Sequence, residues 1–167
     1  MPIENEFKYV LRDSAELRSA LGSAGESLQQ GYLSRHNRIR SVRSATGQIT
    51  RKFTFKMDTD DGLVELERRV SKKDFDRLWP LSDNRLLKTR FRFGDGGHWD
   101  VDFFGDLAAP YFVMAEVELP EGLPEPPIAE RLAPHLIKAV GKDPAFTSFR
   151  LSDERYALQL METLTQK

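Results

Sequence analysis

The sequence predicts a mainly β, α+β domain: an eight-stranded antiparallel closed β-barrel, a tunnel with a charged lumen, carrying helices on its outside and a C-terminal helix. Three observations point there. About eight short segments alternate apolar and polar residues with the period of a strand, a number that suits a small closed barrel. The polar positions in those segments are ionisable almost throughout. The chain has 167 residues, enough for one domain with a core and too few for two comfortable ones. A single domain over 1–167 is expected, with core strands in 3–119 and a helical C-terminal segment in 127–167.

The elements follow in order. Ile3 to Leu11 alternates as a strand and runs into Asp13 and Ser14, either of which suits the cap of a short helix through Leu21. Ser27 to Leu33, Arg35 to Val42 and Gln48 to Met57 read as three strands, the last two joined by the turn-like Ser44-Ala45-Thr46-Gly47. Asp58 to Gly62 is a polar turn before a strand from Leu63 to Val70. Ser71, three residues ahead of Asp74, opens a helix through Trp79, which Pro80 stops. Leu86 to Phe93, His98 to Phe104 and Tyr111 to Leu119 form a second group of strands, the first two linked by Gly94-Asp95-Gly96-Gly97. Four prolines between Pro120 and Pro127 end the sheet region. A helix is expected over about Ile128 to His135, and an amphipathic one from Ser152 onward.

Composition excludes several chemistries. There are 25 basic and 26 acidic side chains, a formal net charge of −1, which argues against a general binder of nucleic acid or of membrane surfaces. No cysteine is present, so disulfides, zinc–thiolate sites and thiol nucleophiles are out, and a reducing cytoplasm is the expected location. The first residues lack a basic stretch followed by an apolar core, and no apolar run approaches the roughly 20 residues of a membrane-spanning helix. His36, His98 and His135 lack metal-ligand spacing. Gly94-Asp95-Gly96-Gly97 has no P-loop pattern around it. No motif supports Ser-His-Asp catalysis.

The informative feature is the sign pattern. Residues two apart on a strand share a face. Glu4, Glu6 and Lys8 share one, as do Arg38 with Arg40, and Lys52 with Thr54 and Lys56. Glu65, Glu67 and Arg69 follow, then Lys88, Arg90 and Arg92, Asp100 with Asp102, and Glu116 with Glu118. Any one strand reads as a half-buried sheet with a solvated face. As a set, the blocks of like sign cost stability unless opposed acidic and basic walls share a space. A barrel lumen supplies that space. Its cations would grip phosphates, arginine forks most selectively, and its carboxylates are the hard oxygen donors that Mg²⁺ or Mn²⁺ prefers.

These residues also form an ordered series of motifs. Glu4-Asn5-Glu6-Phe7-Lys8 is an ExExK signature, followed by Gln30-Gly31-Tyr32-Leu33, Arg38-Ile39-Arg40, Phe53-Thr54-Phe55-Lys56 and Glu65-Leu66-Glu67. Lys88-Thr89-Arg90, Trp99-Asp100-Val101-Asp102-Phe103-Phe104 and Ala115-Glu116-Val117-Glu118-Leu119 complete it. The series resembles the CYTH, or triphosphate tunnel metalloenzyme, superfamily over residues 3 to 119. Beyond Leu119 the match fades: Ala139-Val140-Gly141-Lys142-Asp143-Pro144-Ala145-Phe146 stands where relatives carry EVTGDxRYxN.

The resemblance implies an eight-stranded tunnel, a divalent ion (Mg²⁺ or Mn²⁺) and a triphosphate substrate, inorganic tripolyphosphate being favoured. It implies Glu4, Glu6 and Glu118 as leading metal ligands with Glu116 behind them. Lys8, Arg38, Arg40, Lys56, Lys88 and Arg90 would hold phosphate oxygens, joined by Lys52. Glu65, Glu67, Asp100 and Asp102 would orient the basic side chains or help hold a second metal. Lys56, helped by Tyr32, is the expected base for the attacking water, because a lysine crowded by Arg38, Arg40 and Lys88 should have a depressed pKa. A plain phosphate clamp is the competing reading of Lys56, and simple packing that of Tyr32. A class IV adenylate cyclase, a thiamine triphosphatase and a binding module without turnover are the alternatives in function. The expected partner is the small-molecule triphosphate; no nucleic-acid polymer and no membrane are expected, and a homodimer is left open.

Overall fold

The computed structural model describes residues 3–166. Nine strands form one antiparallel sheet: β1 (Glu6–Leu11), β2 (Glu26–Tyr32), β3 (Asn37–Arg43), β4 (Ile49–Thr59), β5 (Gly62–Arg69), β6 (Asp83–Gly94), β7 (His98–Phe104), β8 (Phe112–Glu118) and β9 (Leu136–Gly141). Their order is β5-β4-β3-β2-β6-β7-β8-β1-β9. Four helices accompany them, α1 (Ala15–Leu21), α2 (Lys72–Leu78), α3 (Ser148–Leu151) and α4 (Glu154–Thr165). No helix among the described residues is long and apolar enough to cross a membrane.

The sheet is curled but is not the closed eight-stranded barrel expected. β9 takes the outer edge of β1 over Lys8 to Leu11. β5 therefore meets only the approach to β1, through the Ile3–Val64 bridge and the Glu4 amide donating to the Leu63 carbonyl at 3.0 Å. β9 itself lies where the sequence pointed to a helical segment. The expected helix over 128–135 is reduced to a 3-10 turn at Ala133–His135, since Pro134 supplies no amide proton to extend it. The first strand starts at Glu6, with Ile3 as an isolated bridge.

The period-two pattern sets two cores. On the outer face, Phe7, Tyr9, Trp99, Val101, Phe103, Val113, Ala115 and Val117 pack beneath Leu17 of α1 and beneath Ala129 and Leu132. Ser14 caps α1 by accepting from the Leu17 amide, which brings Leu17 down onto the sheet. On the inner face the charged rows give way to Val10, Leu86, Phe104, Phe112 and Met114, which bury against Phe146, Leu151 and Ala157. Not every helix is outside, then: α3 and α4 stopper the apolar end of the lumen. Burying those inner side chains at roughly 1.5–3 kcal/mol each is what holds the C-terminal helices there.

Ser71 caps α2 through the Asp74 amide, as its spacing predicts. The 3-10 turn Trp79–Leu81 follows and lies on the outer face of β2. A Cβ at Gly31 would stand 2.5 Å from Ser82 Oγ and 3.0 Å from the Trp79 ring, so only glycine lets the two segments meet so closely.

Candidate functional site

A cavity of about 1000 Å³ fills the curl of the sheet, lined from every strand but β9. Every predicted residue except Asp102 lines it: Glu4, Glu6, Lys8, Tyr32, Arg38, Arg40, Lys52, Lys56, Glu65, Glu67, Lys88, Arg90, Asp100, Glu116 and Glu118. Asp102 sits just behind the wall, fully buried.

The like-signed blocks are compensated by blocks of opposite sign on neighbouring strands. β3 and β4 present cations to the acids of β5: Arg40 reaches Glu67 at 2.7 Å, Lys52 shares that carboxylate at 2.5 Å, and Lys56 reaches Glu65 at 3.0 Å. Arg38 stands 4.0 Å from Glu65. On β6 and β7, Asp102 accepts from Arg90 Nε at 2.7 Å and from Lys88 Nζ at 2.8 Å, while Arg90 also meets Asp100 at 2.8 Å. Burial works against the Asp102 carboxylate, yet Arg90 and Lys88 hold it well below the usual range. Asp102 thus orients two cations, one of the roles expected for it.

Two cationic groups remain unsatisfied. The Nε atoms of Arg38 and Arg40 are buried without a hydrogen-bond partner among the described residues. A buried guanidinium N–H without an acceptor is costly. Burial and the neighbouring Arg38 pull Arg40 down to about 10.

The carboxylates at the other wall are crowded. Glu6 faces Glu118 across β1 and β8, and Lys8 faces Glu116 two pairs along, on the same face of the sheet. Burial first, and then Glu6, push Glu4 up to about 8 against the pull of Lys56. Burial and Glu6 likewise raise Glu116. Glu6 itself is brought to about 2 because Lys8 and Lys56 outweigh its burial. Like-charged carboxylates held this close have the donor chemistry of a divalent-ion site. Lys56, 2.9 Å from Glu4, and Lys8, 3.1 Å from Glu6, now fill the cation's electrostatic role. Among the described residues no three metal-ligating side chains stand together as a ready-made cluster. The donor set fits the ion by chemistry, and the two lysines must give way to admit it.

The expected depression of the Lys56 pKa is overturned. Burial does lower it, but Glu6, Glu4 and Glu65 together raise it above the ordinary lysine value. Sequence reasoning counted the cations on Lys56's own wall and not the acids that the fold brings opposite. The lysine that is depressed is Lys88, lowered to about 8 chiefly by its complete burial.

Sequence reasoning also missed residues from beyond Leu119. Lys142, Thr147, Ser148, Phe149 and Arg150 line the cavity, with Arg35 and His36 from the β2–β3 loop. Phe149 packs edge-on against Tyr32 at 4.9 Å, and Ser148 Oγ lies 3.5 Å from Lys88 Nζ. Only Lys142, within the segment that departs from the resemblance, carried any signal.

No protein-family model and no curated protein matches the chain. Solved structures do. Two crystal structures of NE1496, described in one case as a hypothetical protein and in the other as an inorganic triphosphatase, are each 22% identical with a TM-score of 0.52. They cover 89% and 91% of this chain and 97% and 95% of their own. PH1819 from Pyrococcus horikoshii OT3 is 16% identical with a TM-score of 0.51, covering 98% of this chain and 91% of its own. At these identities the likeness is one of fold.

Proposed function

We propose that this protein binds a triphosphate in its central cavity and hydrolyses it with a divalent ion, inorganic tripolyphosphate being the favoured substrate. The observation that carries this is the pair of buried, unpartnered guanidinium N–H groups on Arg38 and Arg40, in a wall that also holds Lys56, Lys88 and Arg90. A polyanion supplies the acceptors those groups lack. Phosphoryl transfer asks a protein chiefly to position groups and neutralise charge, and that is what such a wall does.

Glu4, Glu6, Glu116 and Glu118 would hold Mg²⁺ or Mn²⁺. A divalent ion bound there would supply charge neutralisation and polarisation of phosphate oxygens. Lys8 and Lys56, released from Glu6 and Glu4, become free to reach phosphate. Lys56 acts as a clamp rather than as the base: once released from Glu4 it meets phosphate oxygens, whose negative charge favours its protonated form as the carboxylates do in the ion-free site. Asp102 holds Arg90 and Lys88 at fixed angles, so their charges meet the substrate without reorganisation.

A second reading has its own observation. The cavity of about 1000 Å³ lies at the top of the range that holds drug-sized ligands, which leaves room for a triphosphate bearing an organic group. The test offers purified protein tripolyphosphate, ATP and thiamine triphosphate, each with Mg²⁺, Mn²⁺ or chelator, and follows orthophosphate, pyrophosphate and cyclic AMP. Metal-dependent orthophosphate release, strongest with tripolyphosphate, is expected. Cyclic AMP with pyrophosphate would replace the reading with a cyclase, and metal-dependent binding without product would replace it with a binding module.

A further inference from the structure

Gln30 takes no part in the chemistry described so far, yet it is a fully buried polar side chain on the inner face of β2. It stands between Arg40 of β3 and Leu86 of β6 in the strand register. Its Nε2 donates to the Tyr32 hydroxyl at 2.8 Å, and its Oε1 is buried with no partner among the described residues. A leucine or methionine would fill this space without leaving an acceptor unpaired, which is costly in a buried site. What glutamine adds is the N–H directed at Tyr32.

We infer that Gln30 is a positioning residue that holds the Tyr32 hydroxyl as a hydrogen-bond donor to a phosphate oxygen of the substrate; this rests on the triphosphate reading above. A phenolic oxygen that accepts a hydrogen bond keeps its own proton to give. Tyr32 lines the cavity beside the Arg38 guanidinium, so its hydroxyl stands where a phosphate oxygen accepting from the unpartnered Arg38 Nε would come within reach. Three contacts fix it. Gln30 holds the hydroxyl, Phe149 of α3 holds the ring edge-on at 4.9 Å, and Gly31 lets Ser82 and Trp79 press against the strand from outside. Tyr32 is then a donor in the binding wall and not an aid to a base, and it reads a phosphate oxygen without adding charge.

The test is a double-mutant cycle on the full chain: wild type, Gln30→Met, Tyr32→Phe and the double variant. For each, kcat and KM for tripolyphosphate with Mg²⁺ are measured, together with the rise in Tm that tripolyphosphate produces. Tyr32→Phe removes one neutral hydrogen bond and is expected to lower kcat/KM roughly tenfold. Gln30→Met is expected to lose up to the same factor, and the double variant to lose no more than Tyr32→Phe alone, because Gln30 acts through the hydroxyl. Independent, multiplying losses, or wild-type kinetics in Gln30→Met, would overturn the inference while leaving the triphosphatase reading standing. If Gln30→Met does not fold, Gln30→Glu keeps the shape and lacks the N–H; full activity in that variant overturns the inference. A wild type that binds tripolyphosphate without hydrolysing it sinks the hydrolase reading alone, and the same cycle is then read on the Tm rise. A wild type that does neither overturns both.

Discussion

Replacing Asp102 with asparagine removes one charge and almost no volume from the best-buried ion cluster in the molecule. Asp102 is 0% exposed and accepts from Arg90 Nε and Nη2 at 2.7 Å each and from Lys88 Nζ at 2.8 Å. The two cations fare differently without it. Arg90 keeps Asp100 at 2.8 Å and Glu116 at 3.7 Å, whereas Lys88 keeps the Ser148 hydroxyl at 3.5 Å and the face of the Phe104 ring, with no ion pair among the described residues. An uncompensated buried charge left by removing its partner costs about 3–5 kcal/mol. At about 2–4 °C per kcal/mol for a chain of this length, Tm should fall by roughly 6–20 °C. The pH dependence is a sharper check. Burial already lowers Lys88 to about 8 in the wild type, and losing Asp102 lowers it further. Above pH 8 the wild-type lysine also sheds its proton, so the gap between the two proteins should narrow as pH rises through that value. In acid the gap should narrow again: the depressed Asp102 carboxylate stabilises the fold above the ordinary aspartate range, and that contribution is lost as pH falls through its folded pKa. Urea and thermal melts of both proteins, followed by circular dichroism across the pH range, measure this. A loss under about 1 kcal/mol, or one that does not vary with pH, would refute the view of Asp102 as the anchor of two cations.

Three further outcomes are expected. Lys56→Ala should raise KM for tripolyphosphate about tenfold or more and lower kcat less, as for a lost clamp; a collapse of kcat with KM unchanged would reinstate Lys56 as the base. Because burial and Glu6 raise the Glu4 carboxyl to about 8, ionisation lags and metal binding should tighten as pH rises through that value. Calorimetric affinity for Mg²⁺ that stays flat from pH 7 to about pH 9 would contradict it. Gly31→Ala would drive a methyl group against Ser82 and Trp79 and should destabilise the fold by about 1–3 kcal/mol, read by urea melts; unchanged stability would show that the outer packing gives way freely.

The strands and the charged lining of the cavity were legible because one rule governs both. Period two placed Glu4, Glu6, Lys8 and the rest on one face, and the register later set those faces around one cavity. His98–Phe104 matches its predicted limits, Ser71 caps α2 as its spacing implies, and of the two candidates Asp13 and Ser14 it is Ser14 that caps α1. What was not legible depends on pairing between distant segments. Leu136–Gly141 has a short, weakly alternating pattern and becomes a strand only because the edge of β1 is free to receive it. That same pairing prevents full closure of the barrel. The Lys56 pKa was misjudged for a related reason, since the acids that raise it are Glu6 of β1, Glu4 just before it and Glu65 of β5. Phe149 and Ser148 reach the cavity by way of α3, whose place follows from the apolar lumen end rather than from any local signal.

The most direct test of the central claim is orthophosphate release from tripolyphosphate by the wild type and by Glu4→Gln, with Mg²⁺, with Mn²⁺ and with chelator. Release that needs the metal, is abolished in Glu4→Gln, and leaves the circular dichroism of that variant unchanged is the predicted result. Release that survives chelator, or that Glu4→Gln retains in full, would contradict a carboxylate-held ion in the cavity as the seat of the chemistry.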